Sequence, residues 1–427
     1  MRILLLVGAA VYRCDKRMIR NAASAAEDAG RHNSPTLRGR REFDFLCTLA
    51  NANLSAEGRQ FVASWNFASL DWDNFVSLAE RHGVLALAAR NLIELTRSET
   101  GAVPPEILRS LRLAYEANLR RGLWFASELT RIVEHFERNR VRALPYKGPL
   151  LSQSLYGDPA LRSFSDLDFL ISPADFERAK QALAEIGYHP TAELTPAIER
   201  FWLRKGYERS FDGVAGKNLV ELQWALLPHF YAVDLRVEDL LARAGRAVVG
   251  EGEVPCLSPE DSLLVLGLHA AKHLWTRLIW LSDIAETLRI EKIDYSLVSD
   301  RARALGIVRI LSVSFWLAKH VLGTELPNPA EEMIASDPET PAIGSEFAER
   351  LARGAAYDFE STEYFRLIMN LRERRSDRWK YIGRLMLTPG PNDIAAVQFP
   401  EALFLLYRVV RMARLARRFF RPPTTDH

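Results

Sequence analysis

The stretch from Leu144 to Ile171, LPYKGPLLSQSLYGDPALRSFSDLDFLI, constrains the chain more than any other. An apolar run ends in Lys147-Gly148, a polar turn holds Arg162, and Ser165-Asp166-Leu167-Asp168 opens a second apolar run. As a strand, that second run puts Asp166 and Asp168 on one face and turns Leu167 and Phe169 toward a core on the other. Two carboxylates so placed repel each other and have shed part of their water. A divalent cation relieves both penalties, and hard oxygen ligands at this spacing suit magnesium.

The rest of the chain has to supply the core. At 427 residues it exceeds one ordinary domain, so two or three structural units are expected. Hydrophobic residues are 48% and charged residues 26%, as in soluble globular proteins. A net charge of +2 gives no global field for nucleic acid. Cys14, Cys47 and Cys256 are too scattered for a disulfide framework or a zinc site. Free thiols in a reducing cytoplasm are the expectation. The start, MRILLLVGAAVY, has the look of a signal peptide's front. It is short of the roughly 20 apolar residues that a membrane span needs. No cleavage site follows, and Arg13 ahead of Cys14 speaks against a lipoprotein; translation from Met18 is the alternative.

Residues 1–40 read as a mobile lead-in and 41–138 as a helical N-terminal unit. Asp71 is a plausible N-cap, and Pro104-Pro105 starts a helix that runs to Arg138. Residues 139–230 hold the strand candidates. Val141–Tyr146 is a short strand that Pro145 places at an edge or end. Gly148, lacking a Cβ, lets the backbone approach a ligand, and a helix over Pro149–Tyr156 turns its N–H groups toward phosphate. The strand Ser165–Ile171 follows, then a helix to Ile186. Lys205–Phe211 and Asn218–Trp224 alternate as antiparallel strands around Asp212–Gly216. Residues 231–325 return to helix, with Ser258-Pro259-Glu260-Asp261 as a strong start. Residues 324–340 are rich in proline and acids and read as a linker. Basic helices follow to 427. The fold class expected is α+β: a small mixed sheet flanked by N- and C-terminal α-helical units.

The central stretch resembles the uncharacterised nucleotidyltransferases of the DNA polymerase β-like superfamily. Lys147-Gly148 matches the family's Lys-Gly and Tyr156-Gly157-Asp158 its Tyr-Gly-Asp. Arg162 with Ser165-Asp166-Leu167-Asp168 matches its Arg-x-x-Ser-Asp-x-Asp. The likeness extends to Asp71-Trp72, Ala79–Gly83, His269–Trp275 with Trp280 and Asp283, and Leu406-Tyr407-Arg408, over roughly residues 43 to 420. It implies that Glu221, between Val220 and Leu222, is the third acid; Glu208 is the alternative. Asp166, Asp168 and Glu221 would hold two magnesium ions, or manganese in their place. Glu221 is otherwise the base for the acceptor proton. Lys147, Gly148, Arg162 and Ser165 would bind a nucleoside triphosphate, arginine being suited to bidentate phosphate contact. Many superfamily members carry Gly-Ser or Gly-Gly in this turn. Here Gly148-Pro149 offers one N–H fewer and lies further from Asp166.

The activity this implies is magnesium-dependent transfer of a nucleoside monophosphate to a hydroxyl of an unknown acceptor, a small molecule or a protein. The alternative is a nucleotide- or partner-binding regulatory protein that keeps the fold without turnover. An RNA end as acceptor would call for a basic groove that the net charge does not announce. His269 and His273 have zinc-binding spacing, with Asp283 as a conceivable third ligand, but Ala-Ala-Lys between them lacks the metalloprotease glutamate. A helix packed on the sheet, with Lys272 or His273 facing nucleotide or acceptor, is the preferred reading. The basic C-terminal helix carries enough apolar residues to touch an anionic membrane or a partner.

Overall fold

The computed structural model describes residues 37–98, 103–290, 292–355, 357–358 and 361–419. The apolar start, Cys14 and the lead-in up to residue 36 lie outside them. Four helices come first: α1 (Leu37–Leu49), α2 (Ala56–Ala63), α3 (Trp72–Arg81) and α4 (Leu85–Ser98). The Asp71 side chain caps α3 by accepting from the Asn74 N–H at 3.1 Å. The long α5 (Pro105–Arg138) starts on its proline, as expected.

The sheet region runs β1 (Ala143–Pro145), α6 (Pro149–Tyr156), β2 (Leu167–Ile171), α7 (Phe176–Glu185), β3 (His189–Pro190), α8 (Pro196–Lys205), β4 (Glu208–Gly213) and β5 (Gly216–Gln223). Its strand order is β1-β2-β5-β4-β3, and β2 and β5 are parallel while every other pair is antiparallel. Period two then sorts the side chains. Leu167, Phe169, Ile171, Val220 and Leu222 face one apolar cluster with the second half of α5, α7 and α8. Leu144, Tyr146 and Leu170 face another, built from the helices on either side of the sheet region in sequence. The sheet is therefore covered on both faces, and the fold is α+β.

Beyond it come α9 (Val237–Ala242), the hairpin β6 (Gly245–Val249) and β7 (Gly252–Cys256), α10 (Pro259–Lys272), α11 (Leu278–Leu288), α12 (Tyr295–Leu305) and α13 (Val308–Leu322). The chain closes with α14 (Asn328–Ala335), α15 (Thr340–Ala352), α16 (Thr362–Asn370), α17 (Arg375–Leu387), α18 (Pro391–Ala396) and α19 (Tyr407–Phe419). Among the described residues no helix is long and apolar enough to cross a membrane.

Three local expectations are corrected. The β2 ladder opens at the Leu167–Val220 pair, so Asp166 lies one residue ahead of the strand. The hairpin β6–β7 stands where only helix was expected; Gly250, at φ +60°, forms its tight turn. The stretch 324–340 is no linker. Its prolines start helices instead of breaking them, α14 buries Ala330 and Met333, and Asp337 takes Arg309 Nε at 2.6 Å.

Candidate active site

Parallel pairing sets Asp168 of β2 beside Glu221 of β5, Cα against Cα, on the same face. Both are buried. Gln223, two residues after Glu221 and so on the same face, donates from Nε2 to Asp168 Oδ1 at 3.0 Å and to Glu221 Oε2 at 3.1 Å. Its amide oxygen accepts from the Tyr146 hydroxyl at 2.8 Å. Asp166 is half-buried at the strand's mouth and Ser165 is exposed. Glu208, the alternative third acid, pairs in register with Gln223, one row further from Asp168.

Lys147 follows β1 and puts Nζ 3.1 Å from Asp168 Oδ1. Burial acts to lower its pKa, but Asp168, the Tyr146 phenol, Asp166 and Glu221 together hold the ammonium well above the usual lysine range. Three carboxylates thus act on one cation, Asp168 in direct contact. Gly148 caps α6 at φ +64°, ψ −134°, a conformation that residues with a Cβ avoid. A Cβ there would stand 3.5 Å from the Asp166 carbonyl oxygen, so the Lys-Gly turn runs directly against the Asp-x-Asp segment.

Arg162, expected on phosphate, is committed elsewhere. Its Nε donates to both Asp283 carboxylate oxygens at 3.1 and 3.0 Å, and the Tyr156 hydroxyl donates to the same carboxylate at 2.9 Å. All three are buried, and the pair ties the segment before β2 to α11. Asp158 is likewise structural, accepting from the Tyr115 hydroxyl at 2.5 Å. With Asp283 so engaged, the zinc reading loses its third ligand. His269 and His273 pack against Trp280 at 5.5 and 5.0 Å, and burial together with neighbouring cations pushes both imidazoles well below their usual range, toward the neutral form. Lys272 is held over the Tyr207 ring at 4.7 Å and donates to its hydroxyl at 3.3 Å.

Sequence reasoning missed Gln223, Tyr146 and Arg277. Arg277 ends the α10–α11 turn, stacks over Trp280 at 5.9 Å, and lies near Asp166. Burial lowers its pKa, and the Asp166 carboxylate partly offsets this. The turn presenting it is strained: Leu274 and Trp275 sit at φ +51° and +49° in succession. Both are fully buried, and Trp275 Nε1 donates to Ser314 Oγ at 3.1 Å, which holds the turn in place. A large cavity of about 1270 Å³ lies elsewhere, between α1–α3 and α13–α15, and no residue of the carboxylate cluster lines it.

Among the described residues no three His, Cys, Asp or Glu side chains are grouped so as to hold a metal ion by themselves. The donors present are hard carboxylate oxygens, the kind magnesium takes one or two of while substrate phosphates and water complete its shell. In chemistry the set fits that ion and not zinc.

A family model described as uncharacterised nucleotidyltransferase matches residues 68–323, from α3 through α13 and including every charged group above. No curated protein and no solved structure matches the chain. With more than half of its length matched, the protein belongs to the uncharacterised nucleotidyltransferase family.

Proposed function

We propose that the protein transfers a nucleoside monophosphate from a nucleoside triphosphate to the hydroxyl of a small-molecule or protein acceptor, with magnesium or manganese. The observation that supports this most is the in-register placement of Asp168 beside Glu221, with Asp166 two residues upstream and Lys147 and Arg277 around them. When bound, the metal would neutralise the carboxylates, hold triphosphate oxygens and acidify the acceptor hydroxyl. Asp166 and Asp168 would be its ligands. Glu221 completes the set or takes the hydroxyl proton as the acceptor oxygen bonds to the α-phosphorus. The opposite bond, from the α-phosphorus to the bridging oxygen, breaks in line, and pyrophosphate leaves with the electron pair. Lys147 exchanges Asp168 for phosphate oxygen, Gly148 lets the backbone approach, and Arg277 meets the polyphosphate with a planar fork.

One observation favours the alternative, nucleotide or partner binding without turnover. The Lys147 ammonium already neutralises Asp168 where a cation would sit. Calorimetry separates the two. Non-hydrolysable ATP, GTP, CTP and UTP analogues are titrated with and without magnesium into the wild type and into Asp166→Ala/Asp168→Ala. Metal-dependent binding that the double variant loses is the expected result, and it names the base for an acceptor search. Equal affinity with and without metal would leave only the binding role. No binding at millimolar analogue would overturn the transferase and leave partner binding alone.

A further inference from the structure

We infer that the C-terminal helices α17 and α19 form a docking face for an anionic lipid surface. This goes beyond the proposed reaction and does not depend on it. The two helices are packed together, with Arg411 Nε of α19 donating to the Leu385 carbonyl of α17 at 3.2 Å. Their inward faces are ordinary core: Tyr381, Leu385, Tyr407 and Leu415 are buried.

Their outward faces are not ordinary surface. Trp379 is 73% exposed, Leu405 in the short turn before α19 is 71%, and Val409 is 55%. Met386 and Met412 are also exposed. Trp379 and Met386 are seven residues apart on α17, two helical turns on one side. Leu405, Val409 and Met412 recur at helical spacing on the other element. Rows of exposed large apolar side chains on two helices that pack together mark an interaction surface.

Charge selects the occupant. From Ala402 to Phe419 the sequence has five arginines and no acid. Arg411 and Arg414 are used inside the fold, where both reach the buried Asp393. Arg408 and Arg417 are exposed beside the apolar residues. Exposed apolar groups flanked by arginine, on a helix of 13 residues, describe an element that lies in a membrane interface and does not cross it. A second copy on the same face is disfavoured, because two-fold pairing would bring arginine against arginine with no acid between.

The test is co-sedimentation of the full chain with vesicles of phosphatidylcholine alone and of phosphatidylcholine with phosphatidylglycerol, at low and high salt. Binding to the anionic vesicles only, weakened by salt, is expected. Arg408→Gln and Arg417→Gln should each weaken it about fivefold, and Val409→Asp/Met412→Asp should abolish it. Circular dichroism confirms that the variants fold; if the double variant does not, Leu405→Ser is the replacement. Equal binding to both vesicle types, no binding to either, or binding that survives these substitutions overturns the inference. So does a dimer in light scattering that Val409→Asp dissociates, which would give the face to a second copy.

Discussion

Arg162 and Arg277 both approach the carboxylates, yet their surroundings give them different work. Arg162 is sealed in with Asp283 and Tyr156, so its charge is spent on holding α11 to the segment before β2. Removing one partner of such a pair leaves the other buried and uncompensated, which costs about 3–5 kcal/mol. Asp283→Ala should therefore lower the urea midpoint sharply. Arg277 lies over the Trp280 face and within the pull of Asp166, and burial penalises its charge. An incoming polyphosphate would compensate that charge. Arg277→Ala should weaken triphosphate-analogue binding about 10- to 100-fold, the worth of a charged hydrogen bond or two, with little change in thermal midpoint. Arg277→Lys should recover part of that, since a lysine has the charge without the fork. An Arg277→Ala protein that melts like Asp283→Ala, or binds the analogue as tightly as wild type, would put Arg277 among the structural residues.

At the scale of elements, α5 acts as a clamp on the loop that delivers the aspartates. Tyr115 holds Asp158, and Asn118 Nδ2 donates to the carbonyls of Ala160 and Arg162. One helical turn on, Gly122 lies under the Pro159 carbonyl so closely that a Cβ would come within 2.2 Å of its oxygen. Backbone has to move to admit it. Gly122→Ala should cost about 1–3 kcal/mol by overpacking and should also weaken nucleotide binding, because the displaced loop leads into Asp166. Gly383→Ala on α17 is the control: a Cβ there meets nothing within 4 Å, so urea midpoint and affinity should hold or rise slightly. Both effects are read by urea titration and calorimetry on the same preparations. The clamp also marks where sequence reading succeeds. Pro105 and a sustained apolar stripe made α5 legible to its last residue, and two-residue alternation made β4 and β5 legible within a few positions. The pairing of Asp168 with Glu221 on neighbouring strands agrees with what the family resemblance implied. Gln223 was within reach by the same-face spacing that picked out the aspartates. Arg277 and the partner of Arg162 were not, because the Arg162–Asp283 pair spans 121 residues and only tertiary packing brings it together. The hairpin β6–β7 and the two-residue β3 escaped because runs that short carry too little periodicity.

The whole molecule carries an acid-sensitive seam where the N-terminal helices meet α11. His82 ends α3 fully buried, its ring 5.5 Å from Phe43, and its carbonyl accepts from the Ile279 N–H at 3.2 Å. Neither ring nitrogen has a hydrogen-bond partner among the described residues. Burial, with Arg81 and Arg277 nearby, lowers its pKa from 6.5 to about 3. His269 and His273 shift the same way. A base that is harder to protonate folded than unfolded draws the chain toward the unfolded state once the unfolded form takes up its proton. The loss begins near pH 6.5 and continues downward until the folded pKa is reached. Each pH unit in that window removes about 1.4 kcal/mol per such histidine. Paired carboxylates such as Asp234 and Asp337, whose pKa values are lowered, add to the loss only below their unfolded values, so the interval from pH 6.5 to about 5 belongs to the histidines. His82→Phe replaces the ring with one that cannot titrate and leaves no nitrogen to satisfy. Urea unfolding from pH 7.5 to 5 should show wild-type stability falling and the variant falling less steeply, with a gap that widens to about 2 kcal/mol at pH 5. Parallel curves would mean that His82 is protonated in the folded protein, and that the seam between α3 and α11 admits water.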